Sequence, residues 1–581
     1  MTLRENVELR EKIQRIALLN AVLHNGRAQV QPVLGRLLAE HPHLRAKVKE
    51  VTPLIAEVVE EVSRLSPIEQ RELIKEIGPE APAKEGVKEK RLPPLPNAEK
   101  YGRIITRFSP NPDFVLHLGS ARAIILSHEY AQMYKGLFYL RFEDTDPRLK
   151  KSALQFYDAI REDLTWLGCK WDAEFIQTDR FPTYYEHAER LLREGHAYVC
   201  TCKREEFRER IGRKEPCPCR SLPPEEQVAR WGRMLDGTYK EGEAVVRIKT
   251  DLRHPNPAVR DWPALRIIDT ERHPHPRVGS RYRVWPLYNF ANGIDDHLMG
   301  VTHIIRGKEH LTNQVRQEYM YRHFGWRYPE AIHYGRLKIT GASLSKSKIL
   351  QGLRRGLYEG WDDPRLATLA ALRRRGIVPE AIRLLMIDVG PKAADAVLSW
   401  ENLYAHNRKI IDPIANRYFF VPNPRKIIVK NLPEKLTAQI PLHPDHPERG
   451  FRRFEIKPKD GEAPFWISGK DAENLKEEGK VRFMELFNLQ IKAIRGDQIE
   501  AFFHSQSYQE ARKLGIPLIH WIPFDTGIAS EVIMPDASIV KGVAEEACKR
   551  LGPDEIVQFE RFGFVRVESL REKLTAYFAH R

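Results

Sequence analysis

Near the start of the chain Leu9, Ile13, Ile16, Leu19 and Leu23 recur at three- and four-residue steps, the spacing of one helix face, and Asn25-Gly26 supplies a stop. The pattern predicts an α-helical domain over residues 1–90. In AKEGVKEKRLPPLPNAEK, dense charge, Gly86 and Pro93, Pro94 and Pro96 disfavour regular structure, so a linker is expected at 91–99. After it the pattern changes: IITRF reads as a strand, LGSARAIILSHEYAQMY as a helix, GLFYLRFED as a strongly apolar strand and SALQFYDAIREDLTWLG as a second helix. Such alternation predicts a parallel sheet covered by helices, with ligands bound beyond the carboxyl ends of its strands.

This first half of an α/β core is expected over 100–197. At 198–287 the alternation breaks into a cysteine-bearing, proline-rich insertion in which VVRIKT and RYRVWP read as strands. The core pattern resumes over 288–355, and 356–410 carries the helical runs LATLAALRRRG and PEAIRLLMIDVG. Over 411–581 short β-segments recur between turn residues: RYFFV, KIIVK, FRRFEI, FWIS, VRFMEL, QIKAI, IEAFF and VQFERFGFVRV. Short strands at this spacing predict barrels or sandwiches.

Composition narrows the function. With 581 residues, 30% charged and 42% hydrophobic, the chain is neither a small module nor a disordered or fibrous protein. Lys and Arg number 94 against 79 Asp and Glu, a net +15, which suits a polyanionic partner such as nucleic acid and equally suits a merely basic enzyme. Charges begin at the fourth residue and no run approaches 18 apolar residues, so a cytoplasmic protein with no membrane partner is expected.

Three segments carry candidate chemistry. In RFSPNPDFVLHLGSARA, residues 107–123, His117, Gly119 and Ser120 fall at the start of the first core helix, where unpaired N–H groups and the helix dipole favour a phosphate. No GxGxxG or P-loop pattern supports another nucleotide fold. In GRLKITGASLSKSKI, residues 335–349, Ser343, Ser345, Lys346, Ser347 and Lys348 form a donor-rich loop able to close over a triphosphate. Cys200, Cys202, Cys217 and Cys219 make two pairs at a spacing that can fold around one tetrahedral Zn²⁺; reduced, buried cysteines are the plain alternative.

The first two segments have the order and context of the HIGH and KMSKS signatures of class I aminoacyl-tRNA synthetases. Together with RFEDTDP, YNFANGIDDHLMGVTHIIRGKEH and GWDDPRLATLAALRRRGI they make residues 100–581 resemble the glutamyl-tRNA synthetases of archaeal type. Two positions depart from the signatures: Ser120 ends the first, and Ser343-Leu344 opens the second. The resemblance implies a multidomain chain: a Rossmann-like α/β catalytic core with an inserted acceptor-end domain, an N-terminal α-helical domain and C-terminal β-barrels that read the anticodon.

It also implies a reaction in which glutamate is activated by ATP, with Mg²⁺ held by phosphates and water, and passed to the 3′ end of tRNA(Glu), with tRNA(Gln) a second candidate. His117, Gly119, Arg336, Leu337, Ser345 and Lys346 would hold ATP, with His117, Gly119 and Lys346 acting in catalysis. Arg107, Tyr288, Asn292 and Arg306 would surround the glutamate carboxylates, and Ser109 and Glu143 the α-amino group. Taken singly, each reads as well as an ordinary salt-bridge residue. Related synthetases often carry zinc in the acceptor-end insertion, which favours a structural Zn²⁺ on the four cysteines. The helical domain could add tRNA affinity or dock a protein partner. A glutaminyl enzyme is disfavoured by Arg306, where such enzymes typically carry an uncharged residue; a catalytically silent RNA-binding homologue is disfavoured by the intact nucleotide motifs.

Overall fold

The structure, a computed structural model, describes all residues except 1–2, 24–27, 42–43, 45–47, 66–68, 71–72, 74–90, 342–345 and 497. The chain forms two compact units, Met1–Arg91 and Leu92–Arg581. In the first are helices Leu3–Leu23, Val30–Glu40 and Val48–Arg64; of the expected face Leu9, Ile13 and Ile16 are buried and Leu19 is half-buried. Ile13, Ile16 and Ala17 meet Val33, Leu37, Ile55 and Val58 in one core. The Asn25-Gly26 stop lies outside the described residues.

The second unit begins on the stretch expected to be a linker. Residues 91–97 carry no regular structure, but Leu92 and Leu95 are buried against Ile104, Leu126, Tyr130 and Ile305. Two apolar side chains among the prolines are enough to hold that stretch against the core.

The core sheet is parallel, as the alternation predicts. Ile105–Phe108 pairs with Leu137–Phe142, which pairs with Ala173–Ile176. His303–Gly307 pairs in parallel with Glu330–Tyr334, and the Thr302 N–H donates to the Ile105 carbonyl at 2.9 Å, bringing the second half beside the first. Helix Leu118–Met133 packs under these strands through Leu118, Ala121, Ile124 and Ile125. The insertion forms its own antiparallel sheet, Ala197–Cys200, Val245–Ile248, Pro263–Ile267 and Val284–Pro286, over a separate core centred on Trp231, Trp262 and Trp285.

Three readings of elements change, the first being RYFFV, which is two strands, Arg417–Tyr418 and Phe420–Pro422. LATLAALRRRG contains only a short helix, Leu369–Arg374, because Thr368 is extended, bridges to His117 and caps that helix by accepting from the Ala371 N–H. VQFERFGFVRV is two strands, Ile556–Phe559 and Gly563–Leu570, turned at Arg561 (φ 58°) and Gly563 (φ 148°).

The C-terminal strands form a two-stranded sheet, Leu436–Pro441 with Phe451–Ile456, and two seven-stranded sheets rather than barrels closed by hydrogen-bonded pairing among the described residues. Both curl nevertheless. In one, the two edge strands are Arg417–Tyr418 and Phe420–Pro422, with a single residue between them in sequence. In the other they are Leu518–Ile519 and Ile522–Pro523, two residues apart. Opposite edges joined by so short a chain are held close together, at most about 3.5 Å per residue spanned.

Candidate active site

The turn after the first core strand places the first signature. Its carbonyls tie it down: Pro110 accepts from the Glu143 N–H at 2.8 Å and Pro112 from the Ala153 N–H at 3.0 Å. His117 then caps the 118–133 helix, its Nδ1 accepting from the Ser120 N–H at 3.3 Å. The Leu118 N–H donates to Ala367 and the Leu369 N–H to Leu116, so the chain after residue 366 clamps this turn from behind. Burial holds the His117 imidazole below its ordinary pKa, hence neutral. Gly119 and Ser120 follow in the first helical turn, partly exposed.

Lys346 of the second signature comes close. Arg336 and Leu337 lie at the start of strand Leu337–Ile339, which pairs in parallel with Ala396–Leu398, and the Asp395 carboxylate accepts from the Arg336 N–H at 2.8 Å. Ser345 lies outside the described residues. Lys346 opens helix Lys346–Arg354, and its Nζ is 2.5 Å from an Asp113 carboxylate oxygen in the first signature. His117 and Lys346 thus border one region, and Asp113, which sequence reasoning did not single out, joins them.

A cleft of about 390 Å³ opens beside this region, lined by Asn111, Glu143, Gln177, Tyr288, His310 and Asn313, among others. Arg107 lies beneath it, pairing with Asp296 through Nε at 3.1 Å and Nη2 at 3.2 Å. Arg141, in the RFED segment, reaches the same carboxylate at 2.8 Å and Glu143 at 3.3 Å. Burial alone would raise the Asp296 carboxyl, but the two guanidiniums overcome it and hold it at about 2. Glu143 goes the other way, raised by burial despite Arg141 and Arg107. The Tyr288 hydroxyl meets His310 Nδ1 at 3.2 Å, and Asn292 accepts from Gln177 at 2.8 Å. Ser109 Oγ is buried without a partner.

Arg306 differs from the other two arginines. It is 5% exposed, yet its partners are neutral: Gln317 Oε1 at 3.2 Å, the Tyr328 hydroxyl at 2.9 Å and His333 Nε2 at 3.4 Å. Burial and the Arg306 charge push His333 to about 4, and burial with Arg306 and Arg107 does the same to His310. No ion pair between Arg306 and a carboxylate occurs among the described residues. Arg107 therefore has a carboxylate partner and Arg306 has none among the described residues. Arg141, Asp296 and Gln317 were not anticipated; adjacent acids in the apolar helix stretch FANGIDDHL were the available signal for Asp296.

The four cysteines converge, with all Sγ atoms within 4.8 Å of one another. Cys200–Cys217 and Cys202–Cys219 are each 3.8 Å apart, too long for disulfides, and all four thiols are free. A tetrahedron with Zn–S near ~2.3 Å has S···S edges of about 3.8 Å. The donor set and spacing fit such an ion. Arg230 Nη1 points at Cys219 Sγ from 3.3 Å, placing a positive charge against the thiolate cluster that a metal would create.

Residues 103–413 match the family profile of class I tRNA synthetases (E and Q), catalytic domain, and residues 415–506 and 518–568 match two anti-codon binding domains of the same class. The chain belongs to the class I tRNA synthetases for glutamate and glutamine. It is 52% identical to the glutamate–tRNA ligase of Pyrococcus furiosus, over 99% of this chain and 100% of that one. It is 53% identical to that of Thermococcus kodakarensis over 99% and 100%, and 54% to that of Pyrococcus abyssi over 98% and 99%. Within the class it therefore belongs with the archaeal-type glutamate–tRNA ligases, and the glutaminyl and non-catalytic alternatives are not favoured.

Proposed function

We propose that the cleft activates L-glutamate with ATP and transfers it to the 3′ end of tRNA(Glu). The observation that carries this is Arg306: a buried guanidinium with only neutral partners next to Tyr288 and His310 of the cleft, whereas the buried Arg107 and Arg141 both pair with Asp296. A buried cation without a counter-charge costs free energy unless an anionic ligand completes it. The side-chain carboxylate of glutamate supplies that charge; the amide of glutamine does not.

In the first step a carboxylate oxygen of glutamate attacks the α-phosphorus of ATP and pyrophosphate leaves; in the second a ribose hydroxyl of the terminal adenosine attacks the acyl carbon and AMP leaves. Such transfers depend on positioning and on cancelling charge at phosphate oxygens. His117, neutral at the helix start, donates to the phosphates, and Gly119 admits the adenosine. Arg336 and Leu337 border the base, and Ser345 and Lys346 close on the departing pyrophosphate. Lys346 must leave Asp113 to do so. Mg²⁺ arrives on the phosphates. Arg107, Tyr288 and Asn292 orient the substrate, and Ser109 and Glu143 receive its ammonium.

Zinc on Cys200, Cys202, Cys217 and Cys219 would hold the tip of the acceptor-end insertion in shape; four thiolates leave no position for chemistry. The curled sheets fit anticodon reading, and the helical unit fits added tRNA affinity or a docked protein in the cytoplasm. Parallel charging of purified tRNA(Glu) and tRNA(Gln) with glutamate and with glutamine tests the reading. Glutamate transfer to tRNA(Glu) is expected; preferential use of glutamine would overturn it, and charging of tRNA(Gln) with glutamate would extend it.

A further inference from the structure

From the geometry around Arg306 we infer that Gln317 is a specificity-determining positioning residue: its amide holds the guanidinium in place without neutralising it, leaving the charge for the substrate's side-chain carboxylate. The inference rests on the reading of Arg306 given above.

Gln317 sits in the middle of helix Leu311–Phe324 on the face that buries Met320, Tyr321 and Phe324, and is itself fully buried. A polar side chain on an apolar helix face needs partners, and Gln317 has them in a closed triangle. Its Oε1 accepts from Arg306 Nη1 at 3.2 Å and from the Tyr328 hydroxyl at 2.7 Å, while that hydroxyl accepts from Arg306 Nη2 at 2.9 Å. Its Nε2 donates to the Asn289 carbonyl at 3.4 Å, which fixes which end of the amide faces the arginine. Tyr328 packs edge-on against Tyr321 at 4.9 Å, so the triangle cannot drift.

The chemistry of this arrangement is selective. A glutamate at 317 would have the same size and could make the same contacts to Arg306 and Tyr328, and would bind the guanidinium more tightly through charge. The protein nonetheless presents the amide, and the titratable neighbours are held neutral, His310 and His333 by lowered and Tyr328 and Tyr288 by raised pKa values, burial being the first cause in each. Every group touching Arg306 thus orients it and none cancels it. Around Arg107 the opposite holds, since Asp296 pairs with it directly.

The test is steady-state charging by the full-length enzyme with glutamate and with glutamine, with KM for ATP and the melting temperature read alongside. Gln317→Glu supplies an internal carboxylate. It should lower kcat/KM for glutamate by about a hundredfold, the size of a charge-assisted hydrogen bond lost to the ligand, with KM for ATP little changed and glutamine use falling less. Gln317→Met keeps the charge and loses the orientation, so it should raise KM for glutamate while kcat holds. Equal effects of the two variants, or losses for glutamate and ATP that both follow a lowered melting temperature, would make Gln317 a structural residue and overturn the inference. If Gln317→Glu does not fold, an unchanged glutamate KM in Gln317→Met overturns it alone. Arg306→Met separates this from the reading beneath it. Loss of glutamate preference there, with wild-type behaviour in Gln317→Glu, refutes only Gln317; no loss there refutes the assignment of Arg306.

Discussion

Asp113 and Lys346 set opposing demands on one ammonium group. The lysine is about one-third exposed where it meets the aspartate, at 38%, so that ion pair contributes no more than about 1 kcal/mol. Asp113→Asn should therefore lower KM for ATP by no more than about fivefold, whereas Lys346→Ala should reduce ATP–pyrophosphate exchange by about a hundredfold or more and leave tRNA binding near wild type. Exchange at the wild-type rate in Lys346→Ala would remove the lysine from the phosphate site. At Arg306 the partner lost is a buried charge, and Arg306→Cys should cost roughly 2–4 kcal/mol in kcat/KM for glutamate and less for glutamine. An equal loss for both amino acids would assign Arg306 to the shared α-carboxylate. His117, Lys346 and Arg306 could be named from local motifs. Arg141 and Asp296 meet across 155 residues of sequence, and a periodic pattern carries no information about such a pairing.

At the level of elements, periodicity found the strands and helices because each buries one face against a single core; it said little of where chains meet. Thr368 shows the difference, since a helical pattern continues through it while its backbone bridges to His117. The curled sheets show it again. Eight β-segments were legible from apolar alternation, yet the order that puts Arg417–Tyr418 and Phe420–Pro422 at opposite edges follows from long-range pairing. The cysteine pairs are the exception, because metal-ligand spacing is itself local. Protein purified without chelator should contain about one zinc per chain by metal analysis. Cys217→Ser should lower that content and the melting temperature of the insertion. Full thermal stability and charging in metal-free protein would leave the cysteines as packing alone.

Across the whole molecule, burial sets how stability responds to acid. His275, His520 and His580 are buried, and desolvation first of all pushes them to about 4, 3 and 4; His310 and His333 move the same way. Below the ordinary histidine value near ~6.5 the unfolded chain binds protons that the native protein does not. Their contribution is complete above that pH and is lost as pH falls, by about 1.4 kcal/mol per unit for each fully buried ring. Four carboxyls among the described residues oppose this, raised by burial: Asp163 and Glu545 to about 7, with Glu143 and Asp144 moved the same way, so the native form takes up their protons first and acidification from 7 toward 4.5 favours folding. Asp296, held at about 2, is ionised in both states across this window and does not enter. His117, His297, His303 and His323 are lowered by burial as well, and these nine histidines outweigh the four carboxyls, so the melting temperature should fall between pH 7.5 and pH 5. His520→Asn should flatten that fall, and Glu545→Gln should steepen it by removing an opposing contribution. A melting temperature constant over this range, or a Glu545→Gln variant with a shallower acid limb than wild type, would contradict the assignment of these groups as buried and neutral.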